Sequence, residues 1–311
     1  MMYRSNYGKI IWFSLLTAIF MIVVMTMQSQ VNQIIPESEE KLKQLFDEIM
    51  GNADDEERMI SGEQFSTLFQ QTLIMDGSFE YSFPLLSSVS KLISPKKRFR
   101  VYTWNVPLHS GMNRFYGLIQ LNLYPDSLRV IELVDKSREI SDPETAILSP
   151  ERWYGAIYYE MITKQTANGE VLYTLLGWHG DNMLMNSKLI EVLTITPQGE
   201  IRIGKPVFCN YTEPKPTRII FRHSANATMS LRYEEQSIVT EKRWNAKRRE
   251  FDLSREKTHL IVADRLVPSD PQLEGQYEYY LPAGDMMDGF LFRDACWNFI
   301  EEIDARNPTK K

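Results

Sequence analysis

The residues best equipped for chemistry in this 311-residue chain lie in Leu176-Gly-Trp-His-Gly-Asp-Asn182. Trp178 offers a stacking face, His179 a titratable ring, and Asp181 and Asn182 hydrogen-bonding groups. Read as a loop between two strands, this set is a candidate ligand-binding site for a sugar or peptide, because binding residues concentrate on loops over rigid sheets. The competing reading has Trp178 cap the end of a sheet while Gly177 and Gly180 supply positive φ. A second cluster, Tyr277 to Phe290 (YEYYLPAGDMMDGF), sets aromatic residues beside Asp285 and Asp288. Paired carboxylates perform general acid–base catalysis only at a defined separation and with displaced pKa values. Aromatics at alternating strand positions are the ordinary content of cross-strand pairs.

Other chemistries lack local support. His109, His179, His223 and His259 show neither HxH nor HExxH spacing, so no metal site is expected. The consecutive acids of Asn52-Ala-Asp-Asp-Glu-Glu57 diverge instead of alternating as a calcium loop requires, and read as a solvated turn. There is no Gly-x-Ser-x-Gly elbow or phosphate-binding loop, and no catalytic residue and no cofactor are assigned. Cys209 and Cys296 allow one bridge in an oxidising compartment or two buried thiols. Asn210 and Asn226 open glycosylation acceptor triplets, discounted beside a bacterial-looking export signal. A net charge of −6 leaves no electrostatic footprint for nucleic acid.

The elements that must position these residues fall into three segments. Arg4 and Lys9 precede the uncharged run Ile10–Met27, followed by Gln28-Ser29-Gln30, which is the pattern of a signal peptide or, if retained, an N-terminal anchor over residues 1–30. Residues 31–93 read as a helical segment. Leu42, Leu45, Phe46 and Ile49 share one face after Pro36, and a second helix opening at Ser61 aligns Phe65, Leu68, Phe69 and Leu73. Residues 94–311 read as an antiparallel β domain of short aromatic and β-branched runs. Hairpin turns are predicted at Thr166–Gly169 and Thr196–Gly199. Helical exceptions are expected at Ser237–Arg249, with its charged face, and near Phe299–Ala305.

The fold class expected is mainly β, an antiparallel meander forming a curved sheet or sandwich. The alternative is a β-propeller, because Ser/Thr-Pro recurs at Ser94, Ser149 and Thr196 with spacings of 55 and 47 residues. The echo between the first and third of these fails after Ile203. In the stretch Ile93–Trp104, Phe99, Val101 and Thr103 share one strand face, and Arg98, Arg100, Tyr102 and Trp104 the other.

Asp76–Phe83, Ser94–Asn105, Trp153–Tyr159 and Tyr173–Asn182, continued by Lys188–Leu193, Gly204–Phe208, Ala263–Pro268 and Glu274–Tyr277, resemble an uncharacterised exported β-rich family of Bacteroidota. The likeness spans roughly residues 76–293 with the segments in order. It implies export and one β-rich body, with no assigned reaction or catalytic residues. The function expected is an exported, non-enzymatic binding or envelope-associated protein of the periplasm or cell envelope. The alternative is a periplasmic hydrolase of glycan or peptide, using Trp178, His179 and acids such as Asp181 or Asp288 from one pocket. Expected partners are a small ligand or an envelope protein, with the membrane touched only through an uncleaved N-terminal segment.

Overall fold

The computed structural model describes residues 33–123 and 127–303, without the side chains at 240–242, 250, 252 and 253. Residues 1–30, expected to be a signal peptide or N-terminal anchor, lie outside the described residues. The chain divides into two compact units, Met1–Ser87 and Ser88–Lys311.

In the first unit, α1 (33–51) and α2 (Asp55–Leu73) bury Leu42, Phe46 and Ile49 against Phe65, Phe69 and Leu73. The rings of Phe46, Phe65, Phe69 and Phe83 meet edge to face at 5.2–5.6 Å. The second helix begins six residues before the expected Ser61. Asp54 caps it by accepting from the Glu56 and Glu57 amides, and Asp55, Glu56 and Glu57 sit in its first turn, where the helix dipole favours anions. Part of the acidic stretch expected to be a joining turn is thus the start of α2.

Among the described residues the second unit is three sheets, antiparallel except for one short parallel pair. Sheet 1 is the meander β1 (Ser90–Ile93), β2 (Phe99–Pro107), β3 (Asn113–Leu123) and β4 (Ser127–Val134). Because β1 precedes Ser94, the sheet starts before the expected boundary. Sheet 2 has the order β10-β7-β6-β5, with β8 on β7; the strands are β5 (Ile157–Gln165), β6 (Val171–Gly180), β7 (Met185–Ile195), β8 (Ile201–Ile203) and β10 (Arg218–Ser224). Sheet 3 has the order β11-β12-β13-β14-β9, from β9 (Phe208–Cys209), β11 (Leu231–Asn245), β12 (Glu250–Pro268), β13 (Tyr280–Arg293) and β14 (Cys296–Ile303).

Sheet 2 is covered on both faces. Tyr173, Leu175, Leu189 and Leu193 pack with Phe99, Val101, Phe115 and Ile119 of sheet 1. Their neighbours Leu172, Leu176, Ile190 and Val192 pack with Ile261, Ala263, Phe290 and Trp297 of sheet 3. This is why β6 reads as a nearly unbroken apolar run where a half-exposed strand would alternate. The mainly β antiparallel class holds, as stacked open sheets and not as a propeller. Phe99 and Val101 face the core as the strand period requires, and the expected hairpins form with Gly169 and Gly199 at φ 87° and 82°.

Three local expectations are overturned. Ser237–Arg249 lies in β11 and its turn: paired to β12, it buries Ile238 and exposes Arg243, Trp244 and Lys247–Arg249, showing charges without helical periodicity. The end of the chain expected to turn helically at Phe299 is β14, pinned to β13 through Phe299↔Phe290 and Ile300↔Gly289. Tyr277–Tyr280, whose aromatic run reads as a strand, is a 3-10 turn over Tyr277–Tyr279, and the strand starts at Tyr280. Cys209 and Cys296 are bonded, with Cα atoms 6.0 Å apart, and the bridge fastens β9 to β14 at the parallel pairing.

Candidate functional site

The predicted loop at residues 176–182 is mostly strand. Gly177-Trp-His-Gly180 ends β6, and only Asp181–Leu184 turns. Neither Gly177 nor Gly180 has positive φ among the described residues. Their missing Cβ atoms make room instead: at Gly177 a Cβ would lie 3.0 Å from the Tyr158 ring, and at Gly180 2.6 Å from the Trp178 ring. Asn182 closes the β6–β7 turn, its Oδ1 accepting from the Leu184 and Met185 amides at 2.8 and 3.1 Å.

His179 is buried between Phe115 and Tyr154, with ring centroids at 4.6 and 5.0 Å. Its Nδ1 lies 2.6 Å from the Gly155 carbonyl, which only accepts, so Nδ1 carries the proton. Asp181 accepts from Ser187 Oγ at 2.6 Å and stands 3.6 Å from His179 Nε2. The carboxylate therefore separates hydroxyl from imidazole, whereas an activated nucleophile needs the imidazole against the hydroxyl. Ser187 is also fully buried. Trp178, His179, Asp181 and Asn182 are brought close together, but their polar atoms and faces are turned to packing and to one hairpin.

Beside them, a completely buried polar chain crosses the core between sheets 1 and 2. Trp153 Nε1 donates to the Tyr158 hydroxyl at 2.7 Å, that hydroxyl donates to Glu191, and Arg218 Nε donates to Glu191 at 2.5 Å. Arg218 also donates to the carbonyls of Pro143, Ala146 and Ile203, which ties the 142–146 segment to β10. Burial first, then the Glu191 charge, pushes the Tyr158 hydroxyl well above its usual range, so it remains a donor. Every member is satisfied internally, which makes this a positioning network.

The segment it positions carries Glu144, and Glu144 belongs to a cleft of about 370 Å³ where β10 faces β12 and β13. Arg222 Nη1 donates to Glu144 at 2.6 Å, with its guanidinium carbon 5.6 Å from the Tyr277 ring centre. Across the cleft Arg265 binds Asp288 through Nη2 at 2.5 Å and Nε at 3.2 Å. Tyr211, Phe221, Tyr277, Tyr280 and Phe299 supply aromatic wall. Tyr211 packs on Phe299 at 5.0 Å and Tyr277 on Tyr280 at 5.1 Å. Burial, followed by Asp288, Glu144 and Tyr277, pushes the Tyr211 hydroxyl up to about 12, so at neutral pH it donates.

Both lining aspartates already accept from their own donors: Asp288 from Arg265 and the Glu302 amide, Asp264 from the Ser230 amide. Asp285 is exposed on β13 and does not line the cleft. Of the residues assigned to a hydrolytic pocket, Asp288 lines the cleft and Trp178, His179 and Asp181 do not. Sequence reasoning found Tyr277 and Asp288 but missed Glu144, Arg222 and Arg265. The available signal was charge inside apolar strands, as in Ile219-Ile-Phe-Arg222 and Ala263-Asp-Arg-Leu266.

A second, larger cleft of about 760 Å³ opens between the Thr166–Gly169 and Thr196–Gly199 turns, walled by Val171, Tyr173, Ile195 and Pro197. Its Lys205 is paired with Glu170, and Arg98 and Arg202 stand at its edge. Among the described residues no group of histidines, cysteines and acids is arranged to hold a metal ion, and no helix is long and apolar enough to cross a membrane. No family model matches this chain, and neither a curated protein nor a solved structure matches it.

Proposed function

We propose that this chain is an exported ligand-binding protein whose cleft between β10, β12 and β13 takes a small polyhydroxylated ligand, a glycan unit of one or two rings. The observation that carries the reading is the pairing of aromatic wall with two ion pairs, Arg222–Glu144 and Arg265–Asp288, in about 370 Å³. A volume of that size is at the small end of ligand sites, which fall at about 300–1,000 Å³. The lining charges largely cancel, which favours a neutral ligand over an ionic one. Sugar C–H faces stack on Tyr277 and Tyr280, while hydroxyls bridge guanidinium donors and carboxylate acceptors held at fixed spacing. Export is supported by the charged start and apolar run of residues 1–30 and by a disulfide that an oxidising compartment sustains.

The test is calorimetric titration of the purified protein with neutral mono- and oligosaccharides of the envelope, beside Tyr277→Ala. Tyr277 is 40% exposed, so its removal spares the core. Saturable binding weakened about tenfold or more by Tyr277→Ala is the expected result, an aromatic anchor being worth on the order of 1–2 kcal/mol. An absence of binding across the neutral saccharides, or binding indifferent to Tyr277 and to Arg265→Ala, overturns the reading.

A further inference from the structure

Beyond the three-sheet body, β11 and β12 continue as a two-stranded ribbon. β11 is the edge of sheet 3, and β13 pairs with β12 near the body only from Ile261 onward, so residues 238–258 pair with one another alone. Lys164, next to the last residue of β5, donates to the Tyr233 hydroxyl at 2.8 Å. From Tyr233 the strand runs to Asn245, a reach of about 40 Å at about 3.3 Å per residue. Asn245 closes the turn, its Oδ1 accepting from the Lys247 and Arg248 amides at 3.2 Å.

At the tip Trp244 and Phe251 stand directly opposite, ring centroids 5.1 Å apart, and 54% and 56% exposed. Arg243, Lys247, Arg248 and Arg249 stand at the same end, with Arg255 and Lys257 further down β12, and all are exposed. From Glu241 to Lys257 seven Lys and Arg face four Asp and Glu, a local net of +3 in a chain whose net is −6. A ribbon of two strands is marginal in water, and two large rings at its end bury nothing in this chain that would repay their exposure.

We propose that this ribbon docks the protein on an anionic membrane surface, with Trp244 and Phe251 entering the interfacial layer and the surrounding cations lying on the headgroups. The amphipathic indole of Trp244 favours that layer, the apolar Phe251 ring adds buried area, and basic residues beside them are drawn to anionic lipid. A stable protein partner would need about 800 Å² from each side, more than two rings on a ribbon present. Interfacial partition needs only the rings and the charge. The inference stands apart from the saccharide cleft, which the ribbon does not line.

The test is co-sedimentation of the full chain with vesicles of phosphatidylcholine alone and of phosphatidylcholine mixed with phosphatidylglycerol, at low and high salt. Any contribution of the apolar N-terminal run is common to every variant. Wild type is expected to prefer the anionic vesicles, and salt to remove the preference. Lys247→Glu with Arg248→Glu should lower anionic partition by about 25-fold or more, at about fivefold per cation lost. Brominated lipid should quench emission in wild type that is missing from Trp244→Phe. Trp244→Ser with Phe251→Ser should weaken binding at either salt; if that pair lowers the melting temperature, the charge variant and the quenching decide alone. Equal partition on both vesicle types, partition unmoved by the charge variant, or a lipid-free dimer that the same substitutions abolish overturns the proposal.

Discussion

The Cys209–Cys296 bridge offers the sharpest quantitative test of how this body is held together. Its perturbation is Cys209→Ser with Cys296→Ser, or reduction of the wild type. The bonded residues are 87 apart in sequence, and the loop they close contains β10, β11, β12 and β13. In the chain-entropy model, releasing a loop of that length from the unfolded ensemble costs about 4.5 kcal/mol at 25 °C. The native contact at the bridge is only a two-residue parallel pairing, Trp297↔Phe208 and Asn298↔Cys209, so most of the loss must come from the unfolded state. For a unit of this size about 2–4 °C of melting temperature accompanies each kcal/mol, which gives a fall of about 9–18 °C. Urea unfolding followed by tryptophan emission measures it, and the uncrosslinked chain should also show a steeper denaturant dependence because its unfolded state is more open. A loss under about 1 kcal/mol with an unchanged slope would refute the loop-closure reasoning.

Two further outcomes follow from buried charge. Glu191→Ala leaves the fully buried Arg218 guanidinium without its carboxylate and should destabilise by about 3–5 kcal/mol, whereas replacing both by Met should cost markedly less; urea unfolding of the three variants decides. His223 is buried on β10 beside Lys188, with its Nε2 unpartnered among the described residues; burial, then Lys188, hold its pKa below the ordinary 6.5 against the opposing Ser224 carbonyl and Asp181. The folded state therefore binds fewer protons than the unfolded one, and the stability involved is present above pH 6.5 and declines as pH falls from there toward the lower folded pKa. Melting temperature should drop more steeply below pH 6.5 in wild type than in His223→Gln, and parallel profiles would show the histidine is not responsible.

Much of the β body was legible because strands obey a two-residue period and turns have their own chemistry. Phe99, Val101 and the Gly169 and Gly199 turns lie where that logic puts them. The misread elements share one physical cause: the residue pattern records what a side chain faces, not the backbone geometry. Gly177 and Gly180 look like turn residues, but they clear space for Tyr158 and Trp178 inside a strand covered on both faces. The 237–249 segment looks like a charged helix because its outer end, where Arg243 and Trp244 are both exposed, gives no alternation. The cleft was out of reach for another reason. Arg222 meets Glu144 across 78 residues and Arg265 meets Asp288 across 23, and no local spacing encodes such convergence.

The layering itself constrains where function can sit. Sheet 2 has no free face, since sheet 1 and sheet 3 take one each, and its buried Tyr158, Glu191 and Arg218 are joined with Trp153 in one internal chain. Even His179, at the end of β6, and Ser187, near the start of β7, are buried. Accessible chemistry must arise where the layers end. β10, the edge of sheet 2, contributes Arg222 to the cleft, and β11, the edge of sheet 3, carries Trp244 into solvent. Arg218 connects the interior to the first of these edges, because the carbonyls it binds at Pro143 and Ala146 flank Glu144. Loss of Arg218 should therefore free Glu144 from Arg222 as well as weaken the core, and a variant that keeps its fold while losing saccharide affinity would separate positioning from packing.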